Sequence, residues 1–390
     1  AQGLRLRARE VFEHPTIFDL ARTLGSEAER PRESDAPEAI EGPVPLLPIQ
    51  QWFFEQDVFD RHHFNQAMMA EPSEPLDREA LTRAWQAVFD HHEGLGTRAI
   101  EEDGRWRLER VQPRGRVDVE WIELPDSGEE EIVSSRARDL QRGFDLSRYP
   151  LGRLAYFDRG REKPGVLFVV FHHLVMDAVS IRIVLEDLTT AYRQAVSGEP
   201  IRLPEKTSSV ARWARHLVEN ARDAEVAAEL SYWTALPWSD VAPLPRDSRE
   251  GANLISSAET LELSLDEVST EALLQGLPRS HGASAHEALL AALALSLSEW
   301  MGTSAACIDV EGHGRESEDL DLSRTVGWFT SLYPAALAVE RGGETLETLK
   351  RVRDQLRAIP RSGLGYGLLR YLSEDENVRR SMRELPDSEV

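Results

Sequence analysis

The chain has 390 residues, with 45 Lys+Arg against 68 Asp+Glu, a formal net charge of −23 and 41% hydrophobic residues. This is the composition of two or three core-bearing globular units, and the acidic balance argues against nucleic acid or an anionic membrane surface as partner. A single cysteine, Cys307, excludes an intramolecular disulfide framework and a multi-cysteine zinc site, which fits the cytosol.

Taken in chain order, residues 1–25 read as a short helical fragment, with Pro15 ahead of an amphipathic turn carrying Ile17, Leu20 and Leu24. Residues 26–43 contain no aromatic and many acids, the composition of a solvated linker. The N-terminus has neither the apolar core of a signal peptide nor an initiator Met, so the chain reads as a piece of a longer polypeptide. Asp77 opens a helix on which Leu81, Trp85, Val88 and Phe89 share one face. Residues 105–111 and 117–123 alternate as half-buried strands. The run 166–171 is continuously apolar, as a buried central strand is. It leads into HHLVMDAVS and a helix over about 180–195.

A second set follows, with helix over 208–234 and an alternating strand at 259–265. Ser284 and Glu287 form a capping box ahead of an Ala/Leu-rich helix. A strand at 306–311, a turn at 312–316 and an aromatic strand at 326–339 complete the pattern. The apolar stretches 166–171 and 288–297 both fall short of the roughly 18–20 residues a membrane-spanning helix needs. The plain reading is α+β, in two halves of similar size, 44–205 and 206–390.

Three segments carry candidate chemistry. His172 and His173 stand at the exit of a buried strand, and histidine exchanges protons near neutrality. Strand alternation sends their rings to opposite faces, so at most one faces a given cavity. Two satisfied structural histidines fit the same spacing, and for His91 and His92 that is the preferred reading. EGHGRE (311–316) places Glu311 at a strand end, where burial would raise its pKa; a surface acid on a turn fits as well. RTVGWFTSLYP (324–334) suits the wall of a channel. PRSGLGYG (360–367) is glycine-dense but lacks the ending of a phosphate loop. The histidines lack partners at metal-ligand spacing, so no metal is expected.

Together PIQQWFFEQ (48–56), HFNQA (63–67), HHLVMDAVS, EGHGRE, RTVGWFTSLYP and RSGLGYG stand in the order seen in epimerization domains of nonribosomal peptide synthetases, members of the condensation-domain superfamily. The chain resembles that family over about 45–371, and residues 1–25 resemble the last helices of a peptidyl carrier protein. The resemblance implies two chloramphenicol-acetyltransferase-like lobes forming a V around a central tunnel. It implies L-to-D inversion of an aminoacyl or peptidyl thioester carried on the 4'-phosphopantetheine of a carrier protein, with no cofactor in this chain. His173 and Glu311 match the family's acid/base pair. Asp177 matches its structural aspartate, with Arg324 as expected partner. Arg315 matches the EGHGRE arginine, His172 is expected to be structural, and Trp328 and Tyr333 to line the tunnel. The implied partners are an upstream carrier protein and adenylation domain and a downstream condensation domain. Ala178 and Ile181 depart from the family's usual glycine and tryptophan. The family's closing Phe-Asn-Tyr-Leu-Gly motif is not found before Val390, so the second half is expected to be truncated. Condensation, or a non-catalytic carrier-recruiting module, are the competing expectations.

Overall fold

Local sequence sets the helix starts. Asp77 caps α2 (Arg78–His91), its Oδ1 accepting from Ala80 N at 2.8 Å. Leu81, Trp85, Val88 and Phe89 are at most 1% exposed, so the expected face is the buried one. At about 1.5–3 kcal/mol for each large apolar side chain, that stripe supplies much of the helix's stability. Asp177 caps the helix Ala178–Val196 in the same way, and Ser284 with Glu287 forms the expected reciprocal capping box on the helix Ala285–Met301.

The structure is a computed structural model describing residues 44–112, 115–160, 163–248, 251, 254, 257–317 and 319–390. The carrier end and linker expected over residues 1–43 lie outside the described residues. After α1 (Pro48–Glu55) come β1 (Asn65–Ala70), α2, β2 (Thr97–Glu102), β3 (Arg105–Arg110) and β4 (Val119–Glu123). Then follow α3 (Glu129–Arg142), β5 (Gly152–Asp158), β6 (Val166–His172), α4 (Ala178–Val196) and α5 (Val210–Asn220). The first half is built on a four-stranded sheet ordered β1-β6-β5-β4, with β2 and β3 as a separate hairpin. β6 pairs antiparallel with both neighbours, and six of its seven residues are buried, as the apolar run requires.

In the second half, α6 (Ala285–Met301) packs on β7 (Ala305–Gly312) and on α7 (Thr345–Arg357). β7 pairs antiparallel with β8 (Ser331–Ala338), setting Glu311 opposite Leu332 and Gly312 opposite Ser331. The architecture is α+β in two halves, as expected.

Three local expectations need correction. Residues 259–265 form no strand: Leu261 and Leu263 are 84% and 87% exposed, and no neighbouring strand among the described residues meets their backbone groups. Alternation supplies a face, but a ladder also needs a partner. The helix expected over 208–234 breaks after Asn220, with short helices at Ala224–Ala228 and Leu230–Thr234. The aromatic strand begins only at Ser331, because 324–330 is held by side chains rather than by a ladder.

Candidate active site

β6 ends at His172, and His173 opens a 3₁₀ turn, so the two rings part as alternation predicts. His172 is fully buried. Its Nε2 donates to the Arg61 carbonyl at 2.8 Å, and its Nδ1 accepts from Leu174 N at 3.1 Å. Burial lowers its pKa to about 4, so the ring is a neutral structural strut. The turn is pinned from α1, where Gln50, 2% exposed, donates to the Leu174 carbonyl at 3.1 Å. This is the physical use of the PIQQ segment.

His173 sits between two aromatic rings. Phe64 stacks on it at 5.4 Å between centroids, and Trp328, reaching over from the second half, lies at 4.2 Å. Its Nε2 lies 2.7 Å from the Gln66 side-chain nitrogen, while Nδ1, Gln66 Oε1 and Trp328 Nε1 are buried and make no hydrogen bond among the described residues. Burial lowers the pKa of His173; backbone acceptors at His173 and Met176, and the charges of Asp177 and Glu311, oppose the shift. The ring is therefore a neutral base at physiological pH, in electrical contact with Glu311.

Glu311 stands near the end of β7, and of the two readings the sequence left open the structure has the surface acid: the side chain is exposed. A pleated strand places Asp309, Glu311 and the other odd positions on one face, and at Asp309 and Glu311 this face is open where Ile308 and Val310 are buried. No hydrogen bond or ion pair holds the Glu311 carboxylate among the described residues.

Four residues beyond His173 the chemistry changes. Asp177 is buried and accepts from Ser180 N at 2.7 Å, from Phe329 N at 3.0 Å, and from Arg315 Nη2 at 3.0 Å on each oxygen. Its partner is thus Arg315 and not the expected Arg324. Arg315 also donates to Ser180 Oγ, Leu322 O and Thr325 O, and its guanidinium lies 4.0 Å over the Phe329 ring. The turn reaches this position because Gly314 has φ +61°, and a Cβ there would lie 1.7 Å from the Phe329 carbonyl oxygen. Only glycine allows that approach.

Arg324 is committed elsewhere, to Asp187 at 2.5 Å and Glu186 at 3.3 Å. The other Asp187 oxygen meets His92 Nε2 at 2.9 Å, which supports the structural reading of that histidine. Packing of α2 on α4 nevertheless brings ligand atoms of His91, His92 and Asp187 within 4.8 Å of one another, against the expectation that no such set exists. One of the Asp187 oxygens is already bound by the Arg324 guanidinium. Burial, then His92 and Lys206, holds the His91 pKa down to about 4.

Trp328 and Tyr333, expected together on a tunnel wall, are separated. Trp328 covers His173, whereas Tyr333 lines a cavity of about 440 Å³ with Trp52, Asp309, Tyr366, Arg370 and Tyr371. Trp52 joins the two regions, its ring lying edge-on to Trp328 at 6.5 Å. Gly363, from the glycine-dense segment, has φ +86° and lies against the Tyr333 ring, where any Cβ would collide. Sequence reasoning missed Gln66 as a contact of His173: HFNQA stood out as a motif, but nothing in a β1 pattern indicates which residue reaches across to β6.

Comparison with known proteins agrees with this frame. The family profile described as Condensation domain matches residues 40–383. A linear gramicidin synthase of Brevibacillus parabrevis is 38% identical over 393 residues, covering 99% of this chain and 8% of that protein. A plipastatin synthase of Bacillus subtilis is 38% identical over 395 residues, covering 99% of this chain and 15% of that protein. The chain therefore spans a small part of the relatives it matches. Among solved structures, the epimerization domain from the third module of tyrocidine synthetase B superposes with a TM-score of 0.81 at 34% identity, covering 86% of this chain and 77% of that one. The chain belongs to the condensation-domain family of the nonribosomal peptide synthetases. Among the described residues, no helix is long and apolar enough to cross a membrane.

Proposed function

We propose that this chain inverts the α-carbon of an aminoacyl or peptidyl group held as a thioester on the 4'-phosphopantetheine of a carrier protein. The observation that carries the reading is His173. It is a neutral imidazole between aromatic rings, with the Glu311 charge of the opposite half acting on it. Likeness to a solved epimerization domain supports the same choice within the family.

In this scheme one of the two groups takes the α-proton from one face, and the C–H electron pair moves into the thioester carbonyl as an enolate. The other group, already protonated, returns a proton to the opposite face. His173 and Glu311 exchange roles in the reverse direction. General acid–base help of this kind contributes about 10²–10⁴-fold, and positioning supplies more. An exposed Glu311 suits the role, because a carboxylate free of ion pairs keeps its lone pairs for the substrate. Asp177 and Arg315 hold the histidine turn and take no proton. The partners that follow are a carrier protein and adenylation domain upstream and a condensation domain downstream, with the work done in the cytoplasm.

The test is to load the carrier with an L-aminoacyl thioester, incubate it with the protein in heavy water, release the amino acid, and read chirality and α-deuterium. A D/L mixture carrying deuterium is expected. The family profile's own description favours a second reading, peptide-bond formation between two carriers. Pure L product without deuterium, and a dipeptide once an acceptor carrier is added, would replace the first reading with this one.

A further inference from the structure

Among the described residues, Gln66 is the one polar side chain in hydrogen-bond contact with the His173 ring, at 2.7 Å from Nε2. As placed, the amide nitrogen donates into the Nε2 lone pair, which fixes the ring proton on Nδ1. That arrangement suits a waiting neutral imidazole and blocks the lone pair against water. It also leaves Gln66 Oε1 buried with no hydrogen bond among the described residues. A buried unmade acceptor is destabilising, so a native fold that keeps one beside a titrating ring needs a reason.

The reason lies in the other protonation state. Once Nε2 has taken a proton it becomes a donor, and an amide nitrogen facing it would be repelled. Rotation of the amide by a half-turn presents Oε1 instead, and a charge-assisted hydrogen bond to the imidazolium, stronger than the neutral one it replaces, offsets leaving the amide nitrogen in the unbonded place. We propose that Gln66 is the positioning residue that holds the His173 ring through its proton cycle, its N–H serving the neutral imidazole and its carbonyl oxygen the imidazolium. An incoming substrate takes the lone pair from the amide, and the amide takes up the new N–H. The aromatic walls of Phe64 and Trp328 fix the ring plane but have no means of distinguishing its two charge states; Gln66 does. This rests on the reading of His173 as the group that moves the α-proton.

The charged or titratable groups facing the ring are Asp177 at the start of α4, Glu311 on β7 and His172 on β6. None of them changes in the variants that test the idea. Gln66→Glu keeps the shape, removes the donor and adds a carboxylate acceptor, so the imidazolium is favoured. Gln66→Leu removes both functions; the charged bond is the stronger of the two, so the cation loses more. Nitrogen-15 resonances of the His173 ring are followed with pH in the whole chain, alongside the pH dependence of α-deuterium exchange. The His173 pKa should rise by about one unit or more in Gln66→Glu and fall in Gln66→Leu, with the acid limb of the exchange profile moving the same way. In Gln66→Leu the resonances should also lose the Nδ1–H preference. A purely structural glutamine would lower the melting temperature and leave the His173 pKa and tautomer unchanged in Gln66→Leu, since the rise in Gln66→Glu follows from the added charge alone. Unchanged His173 titration and tautomer in Gln66→Leu overturns the proposal, and Gln66→Met, which keeps the length and lacks the amide, decides the matter if Gln66→Leu does not fold. Wild-type chain that shows no α-deuterium exchange, beside variants that show both opposite shifts, would overturn the epimerase reading while upholding the assignment of Gln66.

Discussion

Two neighbourhoods lie four residues apart on one turn and differ in how completely their polar groups are satisfied. Around Asp177 both carboxylate oxygens have donors, from Ser180, Phe329 and Arg315, and the Arg315 Nε alone of this cluster has no partner among the described residues. Around His173 three polar atoms have none among the described residues, on the ring itself, on Gln66 and on Trp328. The first arrangement resists change, because any loss strands a buried charge. The second holds neutral donors and acceptors in place at a modest cost and leaves them to be completed by a reacting molecule. A carboxylate with every oxygen met and a histidine ring left open, on one turn, separate support from chemistry more clearly than residue type does.

The largest effect expected from this contrast is catalytic. His173→Ala should reduce α-deuterium exchange by about 10²–10⁴-fold while lowering the melting temperature less than Asp177→Ala does, since it leaves a cavity between Phe64 and Trp328 but strands no charge. A melting temperature lowered as far as in Asp177→Ala, with exchange intact, would reverse the two assignments. Next in size is the saturated side: Asp177→Ala should cost about 3–5 kcal/mol in urea unfolding by stranding the Arg315 guanidinium. A loss below about 1 kcal/mol would mean the shell is not structural.

A third test uses pH. His172 has a folded-state pKa of about 4, against about 6.5 when exposed, so between these values the unfolded chain binds the extra proton. Its contribution is complete above about pH 6.5 and is lost as the pH falls towards 4, by about 3 kcal/mol at most. His172→Gln should flatten that part of the stability curve, and an unchanged slope would contradict the buried neutral ring. The smallest effect belongs to Arg324. Arg324→Gln should cost about 1.5–3 kcal/mol, because His92 still meets Asp187. A loss as large as that of Asp177→Ala would restore Arg324 to the place the sequence suggested for it.

The sequence made visible whatever depends on near neighbours. Helix faces, the Asp77 cap and the Ser284–Glu287 box are settled within a few residues, and the structure has each of them. The divergence of His172 and His173 follows from alternation alone. What escaped was decided at long range. Arg315 and Arg324 both follow Asp177 by well over a hundred residues, and only the Gly314 turn brings one of them to it. Glu311 could be read as buried or exposed, because a strand end allows either and the choice is set by which face of β7 is covered. Residues 259–265 carry a strand's pattern and lack a strand's neighbour. The family resemblance supplied the candidates that single-chain reasoning could not rank, and it left Gln66 without a role.

The bonds that complete the histidine turn also have an order in time. Asp177 meets Arg315 across 138 positions, Ser180 meets Gly327 across 147, and Asp177 meets Phe329 across 152. Contacts so distant along the chain form late in folding, after local helices and the first sheet. On a ribosome adding about 5–20 residues per second, His173 emerges roughly 8–30 s before Phe329 exists to close over its turn. The base is thus made early and armed late, so the growing chain carries no competent proton-transfer site until both halves have been synthesised.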